Sequence, residues 1–154
     1  MSEELVIQPA GFWRRSFTFL LDLTIVNLIY FLFLLIGKFA IQIGLSRADM
    51  DRPSEDLILS LVSPLLFLWL VLFLIYFSLF GYFGGQTPAK MLSGIQVRSI
   101  TLSPPTWKQA ILRALGYPFS SLFFGAGFLF MLFNRDRRAL HDFIAGTRVI
   151  RLQD

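Results

Sequence analysis

Two long apolar runs dominate the chain and constrain it more than anything else in it. Residues 16–36 read SFTFLLDLTIVNLIYFLFLLI and residues 57–83 read LILSLVSPLLFLWLVLFLIYFSLFGYF. Crossing a hydrocarbon layer about 30 Å thick takes roughly 20 helical residues, so each run is long enough to span one. Over 154 residues the chain is 55% hydrophobic and only 16% charged, more apolar surface than a water-soluble domain of this length can bury. The expected fold class is an all-α membrane protein forming one domain over residues 1–154. Two transmembrane helices cover about 16–44 and 57–83, and a third apolar segment at 112–133 either spans or re-enters as a hairpin.

The opening MSEELVIQPAG is acidic before it is basic. The first apolar run also exceeds the roughly 7–15 residues of a signal-peptide core, so the segment reads as uncleaved. With no cysteine in the chain, disulfides and thiolate metal sites are excluded.

Basic residues in short loops mark the cytoplasmic side. If the third segment dips in and returns, both termini and the middle loop share one side. That side then holds Arg14, Arg15, Lys90, Arg98, Lys108, Arg113, Arg135, Arg137, Arg138, Arg148 and Arg151, with Lys38, Arg47 and Arg52 opposite. A full third crossing would scatter this asymmetry, which favours both termini in the cytoplasm.

Ser54 precedes the second helix as an N-cap, and Pro64 inside that helix kinks rather than breaks it. GGQTPAK, residues 84–90, reads as a helix-ending turn; Gln86, Thr87 and Lys90 can cap carbonyls there or hold another segment. GIQVRSI and GTRVIRL alternate with the period of short strands and can pair as a cytoplasmic ribbon. PPTWKQAILRALGYPF reads as an amphipathic interfacial helix carrying Trp107, Lys108 and Arg113. In the next stretch Pro118, paired serines and a Gly-Ala-Gly predict two half-helices with a break.

The chemistry concentrates in a few charges. Asp22 lies within the first apolar run, where an ionised carboxylate costs roughly 2.5–3.5 kcal/mol on insertion scales. Arg15, seven residues earlier, shares its helix face about 10 Å away, so Asp22 is set either to bind a cation or proton or to anchor another helix. His141 and Asp142 are adjacent, about 100° apart on a helix, and do not automatically form one site. A lone histidine is weak evidence for a metal. Arg135, Arg137 and Arg138 read as contacts to anionic lipid, and nucleic acid is a poor partner for basic residues at membrane-segment ends. No catalytic constellation stands out, so the chain reads as a non-enzyme with neither cofactor nor metal.

In order along the chain, RRSFTFLLD, GGQTPAKMLSGIQV, ILRAL and RRALHDFIAGTRVI resemble the RDD family of small bacterial membrane proteins. The arginine and two aspartates of that name correspond to Arg15, Asp22 and Asp142. Gly85, Gln86, Thr87, Pro88 and Lys90 match the motif turn, with Arg113, Arg138, Gly146 and Thr147 in support. One departure is Ala89, where the family commonly shows glycine. The resemblance implies a bacterial inner or plasma membrane, both ends cytoplasmic and a largely undetermined function, for which transport, including cation/proton exchange, has been proposed. It also implies that the tail folds back on the first helix, bringing Asp142 near Arg15 and Asp22. The leading expectation is an oligomer that moves a small cation or proton past Asp22, with Arg15 as competing charge and Asp142 with His141 as a cytoplasmic relay or latch. The alternative is a non-transporting accessory protein that organises membrane partners, in which the same charges lock helices and tail together.

Overall fold

A computed structural model describes residues 8–47, 53–122, 130–131, 133–134 and 137–152. The described elements run α1 (Phe12–Arg47), α2 (Glu55–Tyr82), α3 (Pro88–Leu92), β1 (Ile95–Ser99), α4 (Trp107–Leu122), α5 (Leu140–Ala145) and β2 (Thr147–Arg151). The chain divides into two compact units, Leu23–Phe73 and the combination of Met1–Asp22 with Leu74–Asp154.

In the first unit, Ser54 starts α2 as expected: its Oγ accepts from Leu57 N–H at 3.2 Å, and its carbonyl accepts from Ile58 at 3.1 Å. α2 runs unbroken through Pro64. Trp69 Nε1 donates to Asn27 Oδ1 at 2.9 Å, giving the indole N–H and the amide of an apolar stretch the partner each needs. α1 continues to Arg47, slightly past the expected end. Of the most apolar stretches of α1 and α2, only 11% and 6% is buried. Helices apolar on nearly every face and covered on almost none are built for hydrocarbon, not water. This is a mostly helical membrane protein with two helices long and apolar enough to span.

In the second unit, the expected ribbon forms. β1 and β2 pair antiparallel with Val97 opposite Val149 and Arg98 opposite Arg148. The alternation seen in the sequence puts Ile95, Val97 and Val149 inward, where they close over Ala10 as a small core. The N-terminal segment adds to the far edge of β2: Ala10 N–H donates to Val149 O at 3.0 Å and Arg151 N–H to Gln8 O at 2.9 Å. Ile150, which interrupts the alternation, bridges to Pro9 there.

The outer edge of β1 is taken by the glycine turn. Val97 N–H donates to Gly85 O at 2.8 Å, and Gln86 Nε2 donates to Ile95 O at 2.9 Å. Gly85 has φ +68°, and a Cβ there would sit 2.2 Å from the Val97 carbonyl oxygen, so no other residue fits.

α4 begins at a capping box that the two prolines concealed. Thr106 Oγ1 accepts from Gln109 N–H at 3.3 Å while Gln109 Oε1 accepts from Thr106 N–H at 3.0 Å. α4 continues through Pro118 to Leu122, since the helix carbonyls near the proline need only a local adjustment. One detail differs from expectation. Arg113, expected at the membrane interface, is buried. The rest of the third apolar segment, including Gly-Ala-Gly at 125–127, lies outside the described residues. α4 packs on α5 where Gly116 leaves no side chain; a Cβ there would be 2.7 Å from His141 Cβ.

Candidate functional site: a buried charge clamp

The clamp starts at the first turns of α1, which present Arg15, Thr18 and Asp22 along one buried face. Their spacing of three and four residues gives that alignment directly. Arg15 and Asp22 do not pair with each other; each is satisfied by a different segment.

Asp22 is fully buried. Its Oδ1 accepts from the Tyr76 hydroxyl of α2 at 2.8 Å and from the Ala89 amide at 3.3 Å, and its Oδ2 accepts from the Thr87 hydroxyl. Thr87 is also the N-cap of α3, with Oγ1 accepting from Lys90 N–H at 3.4 Å. Pro88 occupies the first helical position, where a missing N–H costs nothing. The carboxylate is thus held by neutral donors and fastens the motif turn to α1. Ala89, the departure from the family pattern, is buried and meets Asp22 through its backbone, so a methyl is accommodated there.

Asp142, also fully buried, sits in the first turn of α5 and accepts from Ala139 N–H at 3.0 Å. Arg113 reaches its Oδ1 and Arg15 its Oδ2, so one carboxylate bridges α4 and α1. The remaining donors are used nearby. Arg15 donates to Arg137 O at 3.0 Å, and Arg113 to the Thr147 hydroxyl at 3.1 Å. Arg138 donates to Thr147 O at 3.1 Å and Asp142 O at 3.2 Å while lying 4.1 Å over the Phe143 ring. Arg138 was expected at the lipid surface, but two carbonyls and an aromatic face draw it inside. Arg137 is exposed, and Arg135 lies outside the described residues. Gly146, at φ +63°, ends α5 in the left-handed conformation that turns the chain into β2.

Burial on its own pushes the Asp142 carboxyl up, but the Arg113 and Arg15 guanidiniums outweigh it and hold the group well below the usual carboxylate range. His141, buried against the Tyr117 ring with centroids 4.5 Å apart, is driven the same way by a different cause. Burial pushes its pKa down; Asp142 opposes this, and Arg113, Arg15 and Lys90 reinforce it, so the imidazole is neutral at pH 7. Its Nδ1 lies 3.2 Å from Ser120 Oγ, while Nε2 is 3.8 Å from Asp142 Oδ1, beyond hydrogen-bonding range.

Every expected motif residue therefore lies in one unit. Arg15, Asp142, Arg113, Arg138, His141 and Thr147 meet in one cluster, and Asp22 with Thr87 forms a second cluster two helical turns away. Sequence reasoning missed Tyr76 and Ser120. A tyrosine inside an apolar run was the available signal for the first, since its hydroxyl needs a partner there. Among the described residues no group of three or more His, Asp or Glu side chains is placed to hold a metal.

Comparison with known proteins identifies the family. The RDD family model matches residues 9–146. This chain belongs to the RDD family. It is 44% identical over 77 residues to an uncharacterized protein of Rickettsia prowazekii (strain Madrid E), covering 49% of this chain and 42% of that protein. It is 32% identical over 130 residues to Protein FAM8A1 of Homo sapiens, covering 75% of this chain and 31% of that protein. The RDD chain thus spans less than half the length of these curated relatives. No solved structure matches it. Arg15, Asp22 and Asp142 are the residues that fasten α1 to the motif turn and to the tail.

Proposed function

We propose that this RDD protein is a non-transporting accessory protein of the membrane: a rigid module that the buried charges lock, leaving apolar helix faces for lipid and for other membrane proteins or further copies of itself. The observation carrying this reading is the saturation of both acids. Asp22 accepts three hydrogen bonds and Asp142 binds two arginines and an amide. A cation passing Asp22 would have to displace the donors that hold the turn on α1, and two or three helices enclose little room for a path. Transport of a small cation or proton therefore has no support in the surroundings of Asp22. In this reading the RDD residues are a latch and His141 is a neutral packing element, not a relay.

The setting that goes with this function is a bacterial inner or plasma membrane, with both termini cytoplasmic. The exposed Arg14, Lys108, Arg137 and Arg151 would meet anionic headgroups at about 1 kcal/mol each.

Flux in vesicles decides between the readings. The full chain is reconstituted and proton, sodium and potassium flux compared with empty vesicles and with Asp22→Asn. The accessory reading expects no flux above background, with Asp22→Asn lowering the melting temperature. Saturable flux that vanishes in a folded Asp22→Asn variant would overturn it and put Asp22 on a transport path.

A further inference from the structure

Counting the buried charges around the clamp shows an imbalance. Arg15, Lys90, Arg113 and Arg138 are buried, and among the described residues only Asp22 and Asp142 are buried acids. Arg15 and Arg113 pair with Asp142 and Arg138 donates to two carbonyls, whereas Lys90 has no carboxylate against it among the described residues. It is 7% exposed; its ammonium lies 5.7 Å from the centre of the Phe77 ring, and among the described residues no acceptor hydrogen-bonds it. An ammonium drawn into the protein without a carboxylate beside it loses hydration that no paired charge offsets.

Lys90 lines a cavity of about 10 Å³ with Arg15, Arg113, Thr18, Tyr117 and His141, closed on its apolar side by Phe19 and Val149. That volume takes a single particle about the size of one water. Three of the lining residues are cations. Besides Asp142, Arg15 donates to Arg137 O and Arg113 to the Thr147 hydroxyl, and each guanidinium carries five N–H donors.

We propose that this cavity is a site for a monatomic anion of chloride size, held by the Lys90 ammonium with the Arg15 and Arg113 guanidiniums. A water would fill the space but leave the excess charge. A phosphate or carboxylate would bring the charge but is too large for a one-particle cavity. Bound there, the halide touches the motif turn through Lys90, α1 through Arg15 and α4 through Arg113. It fastens the same three segments that Asp22 and Asp142 fasten, and its binding stabilises the folded chain in proportion to halide concentration.

The test is a melting-temperature titration of the full chain in detergent, replacing sodium gluconate by sodium chloride or bromide at constant ionic strength. The expected result is a saturable rise of roughly 3–6 °C when halide reaches about ten times its dissociation constant. Lys90→Arg keeps the response and Lys90→Met removes it. A native chain that melts at the same temperature in gluconate and chloride overturns the proposal, and that result stands even where Lys90→Met fails to fold. A halide response undiminished in a folded Lys90→Met variant overturns it too, by moving the binding elsewhere. So does a chain indifferent to halide but stabilised by inorganic phosphate or by phosphatidylglycerol vesicles, which would make the ligand a phosphate group, free in the first case and a headgroup in the second.

Discussion

Asp142 carries the most consequence of any single residue, because its removal strands two guanidiniums in a buried place. Asp142→Asn is expected to lower unfolding free energy by about 3–5 kcal/mol, the usual cost of breaking a buried pair from one side. In a double-mutant cycle, Arg15→Met and Asp142→Asn should couple by about 0.5–3 kcal/mol in melting measurements; strict additivity would mean that the two do not touch. The pH dependence separates two groups. His141 has a folded pKa below its unfolded value of 6.5, so the unfolded chain binds the proton first. Its contribution is complete above pH 6.5 and is lost as pH falls, by up to about 1.4 kcal/mol per pH unit. Asp142 is also depressed, from 3.8, and its contribution is lost only below that pH. His141 is the chain's single histidine, so His141→Asn should flatten the melting-temperature profile between pH 6.5 and 5 and leave the fall near pH 4 in place. A native profile already flat across that upper window would remove the buried neutral imidazole from the account.

Among the elements, the two glycines of closest approach are more informative than any helix face. Gly116 meets His141 where α4 crosses α5, and Gly85 meets the Val97 carbonyl at the edge of β1. Gly116→Ala should cost about 1–3 kcal/mol by overpacking, and Gly85→Ala more, since left-handed φ is added to the clash. Gly37→Ala is the control: within α1 it meets nothing inside 4 Å, so it should be neutral or stabilise by up to about 1 kcal/mol. Thermal melts of the three variants rank these directly, and equal losses at Gly37 and Gly116 would contradict the crossing. At this scale much was readable in advance. The two apolar helices follow from run length, the Ser54 cap from its place before the second run, and the ribbon from the alternation at Ile95, Val97 and Val149. What was not readable has a common physical cause: it depends on which segments meet. The placing of Arg113 and Arg138 inside, rather than toward lipid, comes from one carboxylate and a few carbonyls brought together by tertiary packing. Asp22 and Arg15 share a helix face, as their spacing dictates, yet each bonds to a different segment, which spacing along one helix does not reveal.

At the scale of the whole molecule, the small sheet fixes more topology than the charges do. It hydrogen-bonds three distant segments: residues 8–10, β1 and β2. Such backbone pairing cannot be made across a hydrocarbon layer, where each strand would have to leave its partners behind. The prediction is therefore that all three segments lie on one side of the bilayer. With both termini expected on one side, α1 and α2 are expected to leave that side together and come back. Labelling a chain that starts without cysteine tests this cleanly, with Ser46→Cys at the end of α1, Ser103→Cys after β1 and Leu152→Cys after β2. A membrane-impermeant maleimide should label the first in intact cells and the other two only after permeabilisation. Position 152 labelling together with 46, while 103 stays protected, would mean that the chain crosses once more between the strands and that the sheet does not form in the membrane-bound protein. Labelling of 103 and 152 but not 46 would keep the sheet and reverse the orientation that the basic residues predict, placing both ends outside.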